Sequence, residues 1–282
     1  MGLWLANFLS KNGYQVIVTD RNKTAVRRLA RVHNFRYVND HATAIRMSQL
    51  VIMATPTHVT KKILQSLDGN ISNNKLFIEI SSVKAPLRSV LKKMSERGIP
   101  VLSIHPLFGP GAKDVKGRTV LVMPIARRSR IADSFLRALR RNGARLVKCN
   151  VDEHDKIISI ILTVPHYLNV TFVNALKSLG VGSNLLSRIA GSTFRLQLLI
   201  AEEVHQESLD NEVSVLMDNP FSVTALKKST QAGIAVTDMI TRGKRDMVIR
   251  TLRTGRRYLQ RDRSFASAYR RFNEAVSAAS LD

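Results

Sequence analysis

Two apolar, strand-like runs each end in a polar turn, at Ile80-Ser81-Ser82-Val83-Lys84 and at Ile104-His105-Pro106-Leu107-Phe108-Gly109-Pro110. In an open parallel sheet, ligands bind in the crevice beyond the carboxyl ends of the strands. We therefore expect Ser82 and His105 to face one crevice, as a hydroxyl and an imidazole. A histidine in that position can act as a general base near neutral pH. A serine and a histidine that only cap their turns would have the same spacing.

Strands and helices alternate on both sides of these turns. Apolar strand-like runs occur at 14–19, 50–54, 76–80, 101–104, 119–123 and 145–148, with amphipathic helical patterns between them. This alternation is typical of a Rossmann-like, doubly wound parallel α/β sheet. After Val151 the chain carries only helical periodicity, beginning with a long helix over residues 152–179. The prediction is a Rossmann-like dinucleotide-binding domain over residues 1–149 and an all-helical domain over residues 150–282.

Composition excludes several classes of protein. The chain has 282 residues and a single cysteine, Cys149, which excludes an internal disulfide and a cysteine-rich zinc site. We find no signal peptide at the amino terminus and no apolar run that approaches the roughly 18 residues of a membrane helix. We therefore expect a cytoplasmic protein without membrane contact. The net charge is +23, but its basic residues are spread over polar helix faces, so nucleic acid is not the expected partner.

The amino-terminal stretch matches the later part of a dinucleotide-binding unit. Such a unit runs from a strand through Gly-x-Gly-x-x-Gly into a helix, with an acidic residue about 20 positions further on that holds the ribose. Gly2 stands where the third glycine would be, and Asp20 ends the next strand. The first strand and the first two glycines are missing before Met1. We expect that the start codon has been assigned too late.

The residues around Asp20 leave the choice of cofactor open. A carboxylate at the end of the second strand favours NAD, because it repels the 2′-phosphate of NADP. Arg21, directly after it, could instead pair with that phosphate. Thr55 and Pro56 close the next buried strand and are assigned to the same cofactor site. NAD is the expected cofactor, with NADP as the alternative.

These motifs, taken together, resemble the prephenate dehydrogenase family, which also contains arogenate dehydrogenase. The resemblance rests on Ser82-Val83-Lys84 and on His105 to Pro110, set in a dinucleotide-binding domain that precedes helices. The helical half adds matches at Asp152-Glu153-His154-Asp155, Leu162-Thr163-Val164-Pro165-His166, Gly191-Ser192-Thr193-Phe194-Arg195 and Asp218-Asn219-Pro220. The resemblance covers roughly residues 2 to 245 and is to archaeal-type members of the family.

The resemblance implies the oxidative decarboxylation of prephenate to 4-hydroxyphenylpyruvate, with hydride transfer to NAD, in tyrosine biosynthesis. His105 would accept the hydrogen bond or the proton of the ring hydroxyl, and Ser82 would orient both groups. His166 and Arg195 would hold the carboxylates of the substrate, and the helical domain would form a homodimer. The alternatives are arogenate as substrate, another hydroxyacid-type or imine-reducing dehydrogenase of similar layout, and a non-catalytic remnant without its cofactor cradle.

The same residues also have structural interpretations. His166 lies in an apolar helical stretch, where a histidine is often a hydrogen-bonded core residue, and Arg195 could belong to a structural ion pair. Lys84 is interpreted as a solvated residue at a helix start. The acidic run that begins at Asp152 lacks a second cluster to complete a metal site, so no metal is expected. The histidines left as surface or structural residues, because nothing in the sequence pairs them, are His58, His154 and His205.

Overall fold

The computed structural model describes residues 1–67, 74–125 and 129–279. These residues form two compact units, Met1–Ile157 and Ile158–Asp282. The predicted boundary lies at residues 149 and 150, whereas the structure divides the chain inside the long helix that follows. The first turns of that helix stay with the first unit because Asp155 bonds to the backbone of Lys84 and Ala85.

The described part of the first unit contains two β-sheets. The smaller sheet pairs β1 (Ile17–Val18) in parallel with β2 (Arg36–Tyr37). The larger sheet has five strands that lie side by side in chain order: β3 (Leu50–Met53), β4 (Leu76–Glu79), β5 (Val101–Pro106), β6 (Thr119–Pro124) and β7 (Arg145–Lys148). Among the described residues, β1 and β3 belong to different sheets and are not paired with each other.

One strand departs from the predicted all-parallel arrangement. β6 runs antiparallel to β5, while the other neighbouring strands of both sheets are parallel. The connection from β5 to β6 contains no helix, so the chain returns directly beside β5 instead of crossing over. The Rossmann-like architecture with a parallel-rich sheet is confirmed, with this one reversal as a correction.

Helices cover both faces of the larger sheet. The helices of this unit are α1 (Gly2–Lys11), α2 (Lys23–His33), α3 (His41–Met47), α4 (Thr57–Gln65), α5 (Arg88–Glu96) and α6 (Arg130–Arg141), and α2 packs beside β2 of the smaller sheet. Successive side chains of a strand point to opposite faces. Leu76 and Ile78 of β4 therefore pack with α1 and α6, whereas Phe77 packs with α3, α4 and α5. Neither β2 nor α3 was predicted, because each is too short for a clear hydrophobic period.

The second unit is helical throughout its described residues. The helices that follow α7 (Val151–Ile158) are α8 (Val164–Ser178), α9 (Ser183–Ile189), α10 (Ser192–Gln206), α11 (Leu209–Val213), α12 (Ser222–Thr241), α13 (Arg245–Leu259) and α14 (Ala268–Ala278). π-helical turns at Ser159–Thr163 and Ser214–Asp218 are joined where the Thr163 hydroxyl donates to the Val215 carbonyl at 3.1 Å. Such turns occur frequently at functional sites.

The helix over Val151–Ser178 is more apolar than the sequence pattern predicted. By length and composition it could cross a membrane, although no apolar run of that length was recognised. Several of its apolar side chains are exposed in the isolated chain, among them Ile160, Ile161 and Leu168.

Candidate active site

A chain of buried hydrogen bonds begins at the predicted catalytic histidine. His105 lies near the end of β5, where it is 6% exposed, and its Nδ1 is 3.0 Å from Nε2 of His154. His154 is fully buried in α7, and its Nδ1 is 2.8 Å from Oδ1 of Asp155. The interpretation of His154 as an unpaired residue was therefore wrong. The ring of His105 is held by a second imidazole and, through it, by a carboxylate.

Asp155 also anchors the loop that follows β4. Its Oδ1 accepts a hydrogen bond from the backbone N–H of Lys84 at 3.0 Å, and its Oδ2 accepts one from Ala85 at 2.8 Å. These residues lead into the 3₁₀ turn Ala85–Leu87 and then into α5. Ser82 is half-buried at the bend of the same loop. One carboxylate thus positions the Ser82 loop and, through His154, the ring of His105.

Lys84 is not the solvated residue that we expected. Its side chain is completely buried, and Nζ donates to Oε1 of Glu79 at 2.8 Å and to the carbonyl of Ile104 at 2.7 Å. The same Glu79 oxygen accepts a hydrogen bond from the Ser103 hydroxyl. Oε2 of Glu79 accepts a hydrogen bond from the backbone N–H of Ser81 at 2.8 Å. A buried charge is tolerated when it is paired and hydrogen-bonded, as it is here.

Burial and charge keep both imidazoles neutral. Burial lowers the pKa of His105 well below its ordinary value, and the positive charge of Lys84 lowers it further. Burial also lowers the pKa of His154, although the hydrogen bond that its Nδ1 donates to Asp155 opposes this effect. At neutral pH each ring is therefore uncharged, with one N–H donor and one nitrogen that accepts.

The residues assigned to the cofactor lie at the start of α1 and after β1 and β3. Gly2 begins α1, and a Cβ at this position would lie only 3.3 Å from Cβ of Ala54, next to Thr55 and Pro56. Asp20 and Arg21 are both exposed after β1. The structure thus brings Gly2 together with the Thr55–Pro56 turn and leaves the carboxylate of Asp20 accessible.

In the second unit, the predicted substrate residue His166 has a buried partner. Its Nδ1 is 2.7 Å from Oε1 of Glu212, whose other oxygen has no hydrogen-bond partner within the described residues. Burial lowers the pKa of His166, but the hydrogen bond and charge of Glu212, with the charges of Glu207 and Glu203, raise it more. The net pKa lies above the ordinary value, so a protonated imidazole is favoured.

Arg195, the other predicted substrate residue, is half-buried on α10. This helix packs against α8, which carries His166, and the two are linked where the Gln197 amide donates to Oδ1 of Asn169 at 2.8 Å. Both predicted substrate residues therefore stand on neighbouring helices of one unit.

We expect the second unit to lose stability as the pH rises through the pKa of His166. Because this pKa is raised by folding, the protonated form stabilises the fold fully below the unfolded value of about 6.5, and the contribution fades above the folded pKa. Thermal unfolding, followed by circular dichroism, would compare the wild type with Glu212→Gln. The variant should be less stable by roughly 1–2 kcal/mol at about pH 6 and by less at about pH 8.5. A difference that does not vary with pH contradicts this assignment.

Sequence reasoning missed His154 and Glu212 for the same reason. His154 pairs with a residue 49 positions away, and Glu212 with one 46 positions away, so no local spacing links the partners. The one visible signal was a run of four polar residues, Asp152 to Asp155, at the start of an apolar helix. Among the residues that the structure describes, no group of three or more His, Cys, Asp or Glu side chains could hold a metal ion.

Comparison with known protein families decides the relationship. Residues 5–122 match the family model for the nucleotide-binding domain of prephenate dehydrogenase, and residues 150–254 match the model for its dimerization domain. The chain belongs to the prephenate dehydrogenase family. The resemblance recognised in the sequence is thereby confirmed.

Individual relatives of this prephenate dehydrogenase family member are distant. It is 22% identical over 222 residues to the "Probable arogenate/prephenate dehydrogenase" of Methanocaldococcus jannaschii, which covers 78% of the chain and 50% of that protein. The chain spans about half the length of the first curated relatives that it matches.

Two solved structures share the fold of this family member at low sequence identity. Prephenate dehydrogenase from A. aeolicus, in complex with hydroxyphenyl propionate and NAD+, superposes with a TM-score of 0.73 at 15% identity, covering 93% of this chain and 95% of that one. Synechocystis arogenate dehydrogenase superposes with a TM-score of 0.66 at 16% identity, covering 90% and 93%.

Proposed function

We propose that the protein oxidatively decarboxylates prephenate to 4-hydroxyphenylpyruvate, with NAD as hydride acceptor, as a step of tyrosine biosynthesis in the cytoplasm. The observation that carries this proposal is the buried, neutral His105, whose ring is held by His154 and Asp155. Arogenate is the alternative substrate, because its ring undergoes the same chemistry and relatives of the chain carry both names.

The residues of the first unit fit a nicotinamide dinucleotide. The absence of a side chain at Gly2 leaves the start of α1 open beside Ala54, and a helix start suits the pyrophosphate. The exposed carboxylate of Asp20 can accept hydrogen bonds from ribose hydroxyls, and its charge favours NAD over NADP. Bound NAD supplies the acceptor for the hydride that leaves C4 of the substrate ring.

His105 accepts the proton of the C4 hydroxyl and later returns it. The neutral imidazole accepts a hydrogen bond from this hydroxyl, and it takes the proton as the oxygen gains carbonyl character. When carbon dioxide leaves and the ring becomes aromatic, His105 returns the proton to the phenol oxygen. The step therefore releases and consumes no net proton. Ser82, in the loop that Asp155 anchors, would orient the hydroxyl toward His105.

The substrate has two carboxylates, which require fixed positive charge. The guanidinium of Arg195 offers a planar, bidentate fork, and we assign it to the ring carboxylate. His166, whose protonated form Glu212 favours, would hold the side-chain carboxylate. We also propose a homodimer through the second unit, because a second copy would cover exposed apolar side chains such as Ile161 and Leu168.

The test is a direct assay of both substrates with both cofactors. The purified chain, and any longer product of the same reading frame, would be mixed with prephenate or arogenate and with NAD or NADP. We expect reduced nicotinamide and 4-hydroxyphenylpyruvate from prephenate and NAD, with kcat/KM at least about tenfold above that for arogenate, a ratio that corresponds to about 1.4 kcal/mol. Faster turnover of arogenate supports the alternative substrate. A folded protein that reduces neither cofactor contradicts the enzymatic proposal and favours a non-catalytic remnant.

A further inference from the structure

We propose that His154 and Asp155 are positioning residues that fix the tautomer of His105, with the proton on Nδ1 and with Nε2 left free to accept. The catalytic consequence rests on the proposed function, since it concerns the nitrogen that receives the substrate proton. The tautomer itself is a property of the protein, and it can be measured without any turnover.

The direction of the hydrogen-bond chain is set at Asp155. Both of its carboxylate oxygens face backbone N–H groups, Oδ1 that of Lys84 and Oδ2 that of Ala85, and a backbone N–H can only donate. The carboxylate therefore acts as an acceptor. Oδ1 is also 2.8 Å from Nδ1 of His154, so this nitrogen must carry a proton.

The hydrogen bond between His154 and His105 fixes which nitrogen of His105 carries the proton. A neutral His154 with its proton on Nδ1 has a lone pair on Nε2, and that lone pair lies 3.0 Å from Nδ1 of His105. Nδ1 of His105 must then be the donor. Since His105 is also neutral, its Nε2 has no proton. Burial of both rings removes the competition of solvent for these bonds.

The opposite assignment leads to a repulsive contact. If Nε2 of His154 carried the proton, its Nδ1 lone pair would face a carboxylate oxygen at 2.8 Å. A lone pair set against a buried carboxylate loses a hydrogen bond and leaves two polar atoms unsatisfied. The chain of bonds is therefore consistent in one direction only, from His105 through His154 to Asp155.

The same bonds serve His105 after it has taken a proton. When Nε2 accepts the hydroxyl proton, Nδ1 still donates to His154, so no ring has to rotate. The carboxylate of Asp155, at the far end of the chain, stabilises the positive charge that forms on His105. A carboxylate that holds a catalytic imidazole in one tautomer has the same role in serine protease triads. Here a second imidazole is inserted between the two groups.

Nitrogen NMR of the imidazole rings tests the assignment directly. In protein labelled with ¹⁵N in histidine, long-range couplings to the ring protons identify which nitrogen carries the proton, and loss of a signal in His105→Asn assigns it. We expect Nδ1–H for both His105 and His154 at neutral pH. In His154→Leu, His105 should lose this preference and gain a population with the proton on Nε2. Wild-type His105 with its proton on Nε2 overturns the proposal.

Steady-state kinetics of two His154 variants test the positioning role independently. We expect His154→Leu to lower kcat by about 10²-fold or more, with both KM values changed less than about twofold, because the substrate and cofactor contacts are retained. His154→Gln restores an acceptor oxygen for Nδ1 of His105 and should recover at least about tenfold of that loss. His41→Leu, an exposed position on α3, is the matched control and should retain wild-type activity.

The two proposals fail in different ways. If His105 carries its proton on Nδ1 but the wild-type protein reduces no nicotinamide, the proposed function fails and the tautomer assignment stands. Full kcat in His154→Leu, or no recovery in His154→Gln, overturns the positioning role. The NMR measurement on the wild type needs no variant, so it remains decisive even if His154→Leu does not fold.

Discussion

Replacement of His105 by asparagine is expected to lower kcat for prephenate by about 10²- to 10⁴-fold, the range for loss of a general acid–base group. Asparagine is close in size, and its amide N–H can still donate to Nε2 of His154, so the buried bond that anchors this position is retained. What is lost is the nitrogen that accepts the proton of the C4 hydroxyl. The KM for NAD should change by less than about twofold, because His105 is not among the residues assigned to the cofactor.

Steady-state kinetics with prephenate and NAD measure this loss. His41→Asn changes an exposed histidine on α3 in the same way and should behave as the wild type. A wild-type kcat in His105→Asn would remove His105 as the proton acceptor. A rise in the KM for NAD that matches the fall in kcat would instead indicate that the variant disturbs the whole unit.

The second large effect concerns stability. Lys84→Met should destabilise the first unit by about 3–5 kcal/mol, because the carboxylate of Glu79 then remains buried without its ammonium partner. The double variant Lys84→Met/Glu79→Gln should recover a substantial part of this loss. Its neutral amide oxygen can still accept from the N–H of Ser81, and no buried charge is left without a partner.

Urea unfolding followed by tryptophan fluorescence reports this effect on the correct unit. The chain has a single tryptophan, Trp4, whose Nε1 donates to the carbonyl of Ala112 at 2.7 Å within the first unit. Lys92→Met is the matched control, since the Lys92–Glu96 pair is 3.8 Å apart and exposed on both sides. Equal shifts of the unfolding midpoint for Lys84→Met and Lys92→Met would contradict a special role of the buried pair.

The positions of Ser82 and His105 close to strand ends were predictable because hydrophobic periodicity indicates where strands end. His105 lies near the end of its strand, and Ser82 at the bend after β4, because buried apolar runs stop there. The direction of β6 was not predictable in this way. A strand that is buried on both faces has the same apolar pattern whether its neighbour is parallel or antiparallel.

The residues that support the site could not be predicted from local pattern. Lys84 stands just before a helix, which is an ordinary place for a solvated lysine, and only the folded sheet brings Glu79 and the Ile104 carbonyl around its ammonium. The partner of His154, His105, likewise lies on a strand far away in sequence. Strand ends can be predicted from local pattern, whereas the partners of Lys84 and His154 depend on tertiary packing.

Because Lys84 is completely buried, the rate at which its amine reacts can measure local opening of the structure. Reagents that acylate amines reach the exposed lysines of a folded protein at once, but they reach a completely buried ammonium only when the structure around it opens. Glu79 and the Ile104 carbonyl must both separate from Lys84 before it reacts. The labelling rate of this one amine, measured by peptide mass spectrometry, therefore reports how often the structure around Lys84 opens.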